Sequence, residues 1–309
     1  MPTRLRDLLR QGVIEGKLFC PFNFSLYEEL IAINPIDRRV ATARLMDELA
    51  CNMALKNPFE IAMLEYTRFL IEAGPTLRPL AGKIEPVWCR IGWFLGERYP
   101  RSNDWPEEFL NFSHKVVWDC GCSRRVADLA LLPDQKESPD DTADRINKER
   151  KRFPRSNQTF EDLYKSELGA YIDENKERVT QSILDITVGL LGMEHPGTLP
   201  IETIAPALNL LLGASLKHLK KRIIPSQQIE AALHAQVRMD DRRKTKQNDI
   251  DDFRHAAAAL AYCNVFLTDK PLTHLVNSKH VQEVIPMSCE ITGDPARAVA
   301  LVEAIVGKF

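Results

Sequence analysis

The chain carries no glycine-rich phosphate loop and no G-x-S-x-G elbow, so no motif marks a P-loop nucleotide site or an elbow nucleophile. It also lacks an excess of basic charge: 41 Lys and Arg face 43 Asp and Glu, a formal net charge of −2. That balance excludes a surface coated in cations, and any nucleic-acid contact has to come from local patches. Long apolar runs are missing too. The longest, Ile204 to Leu216, is interrupted by Pro206, Asn209 and Gly213 and is too short to cross a bilayer. Met1 is followed by Pro2, Thr3 and Arg4 rather than an apolar signal core, so a soluble, cytoplasmic protein with no membrane partner is expected. The seven cysteines have no framework spacing, which points to reduced thiols. Cys120-Gly-Cys122 with His114 lacks the second pair that a structural zinc site needs. No repeat at a fixed period signals a solenoid.

What is present is a chain of 309 residues, long enough for a large core and for two domains. Its most informative stretch is Asn248 to Lys270, NDIDDFRHAAAALAYCNVFLTDK. From Asp251 to Ala261 no breaker occurs, and Phe253, Ala256, Ala257, Leu260 and Ala261 recur at helical spacing, which predicts a buried helix with a thin packing face. Val265 to Thr268 is β-branched and aromatic in character and predicts a short buried strand. The strand closes on Asp269. Asp252 lies in the first helical turns, with His255 one turn later on the same face. Ligand sites in open parallel sheets form outside the carboxyl ends of strands. An aspartate there, facing another from a neighbouring helix, suits Mg²⁺ or Mn²⁺, which prefer oxygen ligands. The competing expectation is that Asp249, Asp251 or Asp252 caps the helix and Asp269 makes a turn.

The pattern D-x-x-H-A-A-A-A-L-x-Y-C-x-x-F-L-T-D resembles the C-terminal half of a PIN-like domain, the metal-dependent ribonuclease fold. The resemblance implies that Asp252 and Asp269 belong to an acidic set and that Thr268 is the strand-end hydroxyl. Val281 to Cys289 is expected to supply the last strand and Pro295 to Val306 a terminal helix. Near the N-terminus, Arg4 to Gln11 reads as a helix and Lys17 to Cys20 as a strand. A helix follows with Ser25 and Glu28 at capping-box spacing. By the same resemblance Glu29, ahead of Leu30, is a further acidic ligand, with Glu28 as the alternative. The family's opening strand ending in aspartate has no counterpart before Leu18.

From Asp37 to about Arg222 the pattern is almost wholly helical, with Val40 to Leu55 and Pro58 to Ala73 the strongest helices. Pro133 to Asn157 is polar and proline-bounded, the composition of a connector. The expected fold is therefore α/β: a PIN-like small parallel sheet flanked by helices, with a large all-helical insertion. The expected partition is 1–50 for the first part of the module, 51–224 for the insertion and 225–309 for the second part.

The chemistry implied is hydrolysis of RNA phosphodiester bonds by an endoribonuclease, with Glu29, Asp252 and Asp269 holding Mg²⁺ or Mn²⁺ and Asp249 as a further ligand. Arg238, Arg242, Arg243, Lys244 and Lys246 directly precede the acidic stretch and are the candidate phosphate contacts. Solvated basic faces at Lys148 to Arg155 and Lys217 to Arg222 are weaker candidates. His255 fits a core hydrogen bond better than a Mg²⁺ ligand. The competing class is a catalytically degenerate PIN-like scaffold or binding protein whose helical insertion forms a partner surface. Besides RNA, a second copy of the chain or an inhibitory protein is a candidate partner.

Overall fold

The computed structural model of the chain describes residues 2–73, 78–95, 106–118, 121–129, 143–144, 146–148, 158–174, 181, 213, 217, 222–240, 243–284 and 288–307. Helices dominate. In chain order the elements begin with α1 (Pro2–Ile14), α2 (Phe24–Ala32), α3 (Ile36–Ala50), β1 (Met53–Leu55), α4 (Pro58–Ala73) and β2 (Trp88–Arg90). They continue with α5 (Ile91–Phe94), α6 (Glu107–Trp118), α7 (Cys122–Leu129), α8 (Phe160–Glu174) and α9 (Pro225–Arg238). The last are α10 (Gln247–Tyr262), β3 (Val265–Leu267), α11 (Lys270–Val276), α12 (Lys279–Val284), β4 (Glu290–Thr292) and α13 (Pro295–Val306). Among the described residues the strands form two sheets of two strands each, β1 with β2 and β3 with β4. No helix of the described residues is long and apolar enough to cross a membrane. Most of the connector at 133–157, and Cys120, lie outside the described residues.

Two compact units result. One comprises Met1–Asn57, Val87–Pro139 and Thr292–Phe309; the other comprises Pro58–Pro86 and Asp140–Ile291. These boundaries cut across the partition expected at 50 and 224.

In the first unit α1 packs along α13. Gly12 makes that approach possible, because a Cβ there would meet Leu18 Cδ2 at 2.7 Å and Val306 Cγ2 at 3.0 Å. Lys17 Nζ donates to the Val306 carbonyl at 2.5 Å, a cation at the end of α13 where the helix dipole favours it. The strand expected over Lys17 to Cys20 does not form. Cys20 N–H instead donates to the Leu49 carbonyl at 2.8 Å, and the pairing with β1 narrows to a parallel bridge between Phe22 and Ala54. The helix expected to run to Leu55 ends at Ala50. Cys51 and Asn52 take φ of 50° and 58°, a left-handed conformation that stops the helix. The chain then enters β1, which pairs antiparallel with β2, Met53 opposite Arg90 and Leu55 opposite Trp88. Helix α2 is capped by Asn23, whose Oδ1 accepts from Leu26 N–H at 3.0 Å, rather than by Ser25, which is buried inside the helix. Phe22, Leu30, Ala43, Ala54, Ile91 and Val126 form the core.

In the second unit α9 is central, packing against α4, α8, α10, α11 and α12. Ala231, Ala232 and Ala235 of α9 and Ala256 and Ala257 of α10 are all buried; short side chains let the two backbones approach closely. Phe253 is 1% exposed among them, and burying such a ring contributes roughly 1.5–3 kcal/mol. The last strand is displaced from its expected span. Residues 279–284 are helical, with Lys279 and Glu283 paired one turn apart at 3.6 Å on the exposed side and Val281 turned inward. The strand forms later, at Glu290–Thr292. Glu290 N–H donates to the Asn264 carbonyl at 2.9 Å, which sets the leading ends of β3 and β4 side by side.

Candidate functional site

The site is built on α10 and the strand that follows. The start of α10 is closed by Asp249, whose Oδ2 accepts from Lys246 N–H at 2.8 Å and whose Oδ1 accepts from Arg243 at 3.0 Å. A carboxylate in the first turn satisfies an orphan backbone donor and complements the helix dipole. Ile250, Phe253, Ala256, Ala257 and Leu260 form the buried face. Asp252 and His255 stand at the edge of that face and are half-buried. On the other edge Arg254 lies 3.9 Å from Glu230 of α9 and 3.8 Å from Asp251. Burial raises the Glu230 carboxyl above its usual range, against the pull of His234 and Arg254.

Only Cys263 and Asn264 separate α10 from β3, so the strand has to double back along the helix. Its register is fixed by His255, which meets Phe266 edge-on with ring centroids 5.1 Å apart. Burial pushes the His255 imidazole down to about 4, so the ring packs as a neutral aromatic group. Three residues from that contact toward the helix start is Asp252; three residues toward the strand's carboxyl end is Asp269. β3 ends at Leu267 and Asp269 lies two residues beyond it, so in the backbone both aspartates lie toward one end of the helix–strand pair. Thr268 is half-buried beside Asp269, which is exposed. Asp269 is also the N-cap of α11, its Oδ1 accepting from Leu272 N–H at 2.8 Å. That bond engages one of its two carboxylate oxygens.

The remaining residues singled out by sequence are spread more widely. Glu29 is exposed on α2, in the first unit. Among the described residues no three His, Cys, Asp or Glu side chains gather as a group able to hold a metal ion. Arg238 is engaged structurally: its guanidinium bonds to Glu167 at 2.5 Å, joining α9 to α8. Lys244 and Lys246 are exposed just ahead of α10, and Arg243 pairs with Asp249. Arg242 lies outside the described residues.

A further cluster has no counterpart in the sequence motifs. Glu65 of α4 accepts from Ser226 of α9 and Tyr262 of α10. The one sequence signal for it is a lone glutamate within the apolar run Ile61-Ala-Met-Leu-Glu65-Tyr66.

Comparison with family models, with curated proteins and with solved structures returned no match.

Proposed function

We propose that the chain is a Mg²⁺- or Mn²⁺-dependent endoribonuclease of the PIN-like kind, hydrolysing RNA through a carboxylate pair made of Asp252 and Asp269. The observation that carries the reading is the His255–Phe266 register, which sends both aspartates to the same end of α10 and β3. Two further features support it. The leading ends of β3 and β4 are hydrogen-bonded with two helices between them, as a parallel crossover of an α/β unit would require. Asp269 follows the first of those strands by two residues, beyond the carboxyl end where such folds carry their chemistry.

The donor set fits a hard divalent cation of limited coordination by protein. Mg²⁺ commonly takes one or two carboxylates and completes its shell with water and substrate phosphate. Asp252 and Asp269 are the residues that would hold it. When bound, the ion supplies Lewis acidity at a phosphoryl oxygen and lowers the pKa of an attacking water. The chain's own contribution is orientation: the cap bond from Leu272 fixes the Asp269 carboxylate, and the neutral ring of His255 fixes the distance along the helix. Lys244 and Lys246, exposed ahead of α10, attract the phosphate backbone.

A degenerate module acting as a binding scaffold is the second reading. It is favoured by the cap bonds at Asp249 and Asp269, which give each aspartate a purely structural task. Purified protein incubated with single-stranded RNA and Mn²⁺, beside Asp269→Ala, separates the two. Cleavage by the parent and none by the variant is expected. An inactive parent favours the scaffold, and equal cleavage by both removes Asp269 from the mechanism.

A further inference from the structure

Glu65 is 3% exposed on a wall of α4 that includes Ile61, Ala62 and Tyr66. Three donors converge on it from two other helices. Ser226 N–H reaches Oε1 at 3.0 Å and the Ser226 hydroxyl reaches Oε2 at 2.8 Å. The Tyr262 hydroxyl reaches Oε1 at 2.5 Å. Ser226 stands in the first turn of α9, directly after Pro225, and Tyr262 is the last residue of α10. One carboxylate therefore ties together the middle of one helix, the start of a second and the end of a third.

The charges around it do not neutralise it by contact. Arg68, one turn further along α4, acts through space. On the α10 side Tyr262 is the titratable neighbour, itself facing Arg68 and Arg222. On the α9 side Glu230 faces Tyr66, as does Tyr171 of α8. Two effects then compete. Removal from water disfavours the charged carboxylate, and the three donors favour it.

We infer that Glu65 is a proton-binding switch built into the junction of α4, α9 and α10. In its ionised form the carboxylate accepts all three bonds. A proton taken from solvent turns one carboxylate oxygen into a donor, and the hydroxyl of Ser226 or of Tyr262 reverses from donor to acceptor. The fastening of α10 at its C-terminal end thus depends on proton concentration. This inference does not rest on the nuclease reading.

Burial outweighs the donors and pushes the carboxyl from 4.5 up to about 7, so the exchange falls near neutral pH. That difference corresponds to proton binding roughly 300-fold tighter in the folded chain. The folded state then holds more protons than the unfolded one across this window. Stability from the group is complete below about 4.5 and is lost as pH rises through about 7.

The test is infrared difference spectroscopy of the full chain during a pH titration, on the parent, Glu65→Gln and Tyr262→Phe. A protonated-carboxyl band that titrates near 7 is expected in the parent and is absent from E65Q. In Y262F, which removes a donor to the carboxylate, its midpoint moves to higher pH. Denaturation curves give a second readout: E65Q gains stability relative to the parent as pH rises from about 4.5 to about 7. A parent with no carboxyl band titrating near neutral pH overturns the inference. So does a band that persists in E65Q or fails to move in Y262F. If E65Q does not fold, the parent and Y262F titrations decide alone.

Discussion

His255 and Phe266 meet with their ring planes 61° apart, and the imidazole is the only polar ring in that contact. An unfolded histidine takes up its proton near 6.5, whereas burial holds this one down to about 4. Between those values the unfolded chain binds more protons, so the group's stabilisation is full above about 6.5 and is lost as pH falls toward about 4. Its sign opposes that of Glu65, and the two windows overlap. His255→Phe keeps a ring against Phe266 and removes the titration. Its melting temperature is expected to gain on the parent's as pH falls through that range. A difference independent of pH would show that the imidazole does not titrate on unfolding.

Asp269 has a cap to keep and, on the proposed function, an ion to hold. The two roles separate with Asp269→Ser, because serine caps a helix as well as aspartate does but offers no carboxylate. The serine variant is expected to melt with the parent and to lose Mn²⁺-dependent cleavage. Asp269→Ala loses cleavage and in addition about 1 kcal/mol of stability. Cleavage by the serine variant would show that the cap, not the charge, is what activity needs.

Lys244 and Lys246 are exposed, whereas Arg238 is committed to Glu167. RNA binding by Lys244→Ala/Lys246→Ala is expected to weaken without loss of stability. The slope of log affinity against log salt falls by about 1.4 for two contacts to a single strand. Arg238→Ala leaves Glu167 unpaired and is expected to lower stability. The cost lies between about 1 kcal/mol for an exposed pair and about 3–5 kcal/mol for a buried one. Filter binding across a salt series and thermal melts distinguish the two classes of cation.

Gly121 sits beside the carboxylate of Asp47, which accepts from Cys122 N–H at 2.7 Å and Ser123 N–H at 2.9 Å and so closes the start of α7. A Cβ at position 121 would come within 2.6 Å of Asp47 Oδ2. Gly121→Ala is expected to displace the carboxylate and cost about 1–2 kcal/mol, the value of a lost cap. Asp47→Ala should cost a similar amount, and the double variant little more than either. Additive losses would show that the two residues act independently.

The stretches 247–267 and 295–306 were the most legible in sequence, because their signals are local. An unbroken alanine-rich run made α10, Val265 and the aromatic Phe266 made β3, and Pro295 just inside Asp294 made the start of α13. The strands β1 and β2 were hidden for a physical reason. Met53-Ala-Leu continues the apolar spacing of α3, and the break is made by Cys51 and Asn52 in left-handed conformations; asparagine tolerates that conformation, but cysteine gives no signal for it. Asn23 took the cap expected of Ser25, a shift of two residues that helical periodicity does not resolve. The expected strand at 281–289 gave way to a helix and a later strand, since Val281 serves an inward helical face as well as a strand face. In the candidate site, Asp252 and Asp269 stood out by spacing. Nothing local joins Glu65 to Ser226 and Tyr262, 161 and 197 residues further on.

That separation gives the junction a history as well as a structure. During synthesis, α4 leaves the ribosome long before Ser226 and Tyr262 exist. At neutral pH its glutamate spends that interval in water as an anion. When α9 arrives and closes over it, about half of the chains at pH 7 take up a hydrogen ion from the surrounding buffer, because the carboxyl now titrates at about 7. Assembly of this unit is therefore a reaction in which acid is a reactant, and the acidity of the compartment where translation occurs enters its yield.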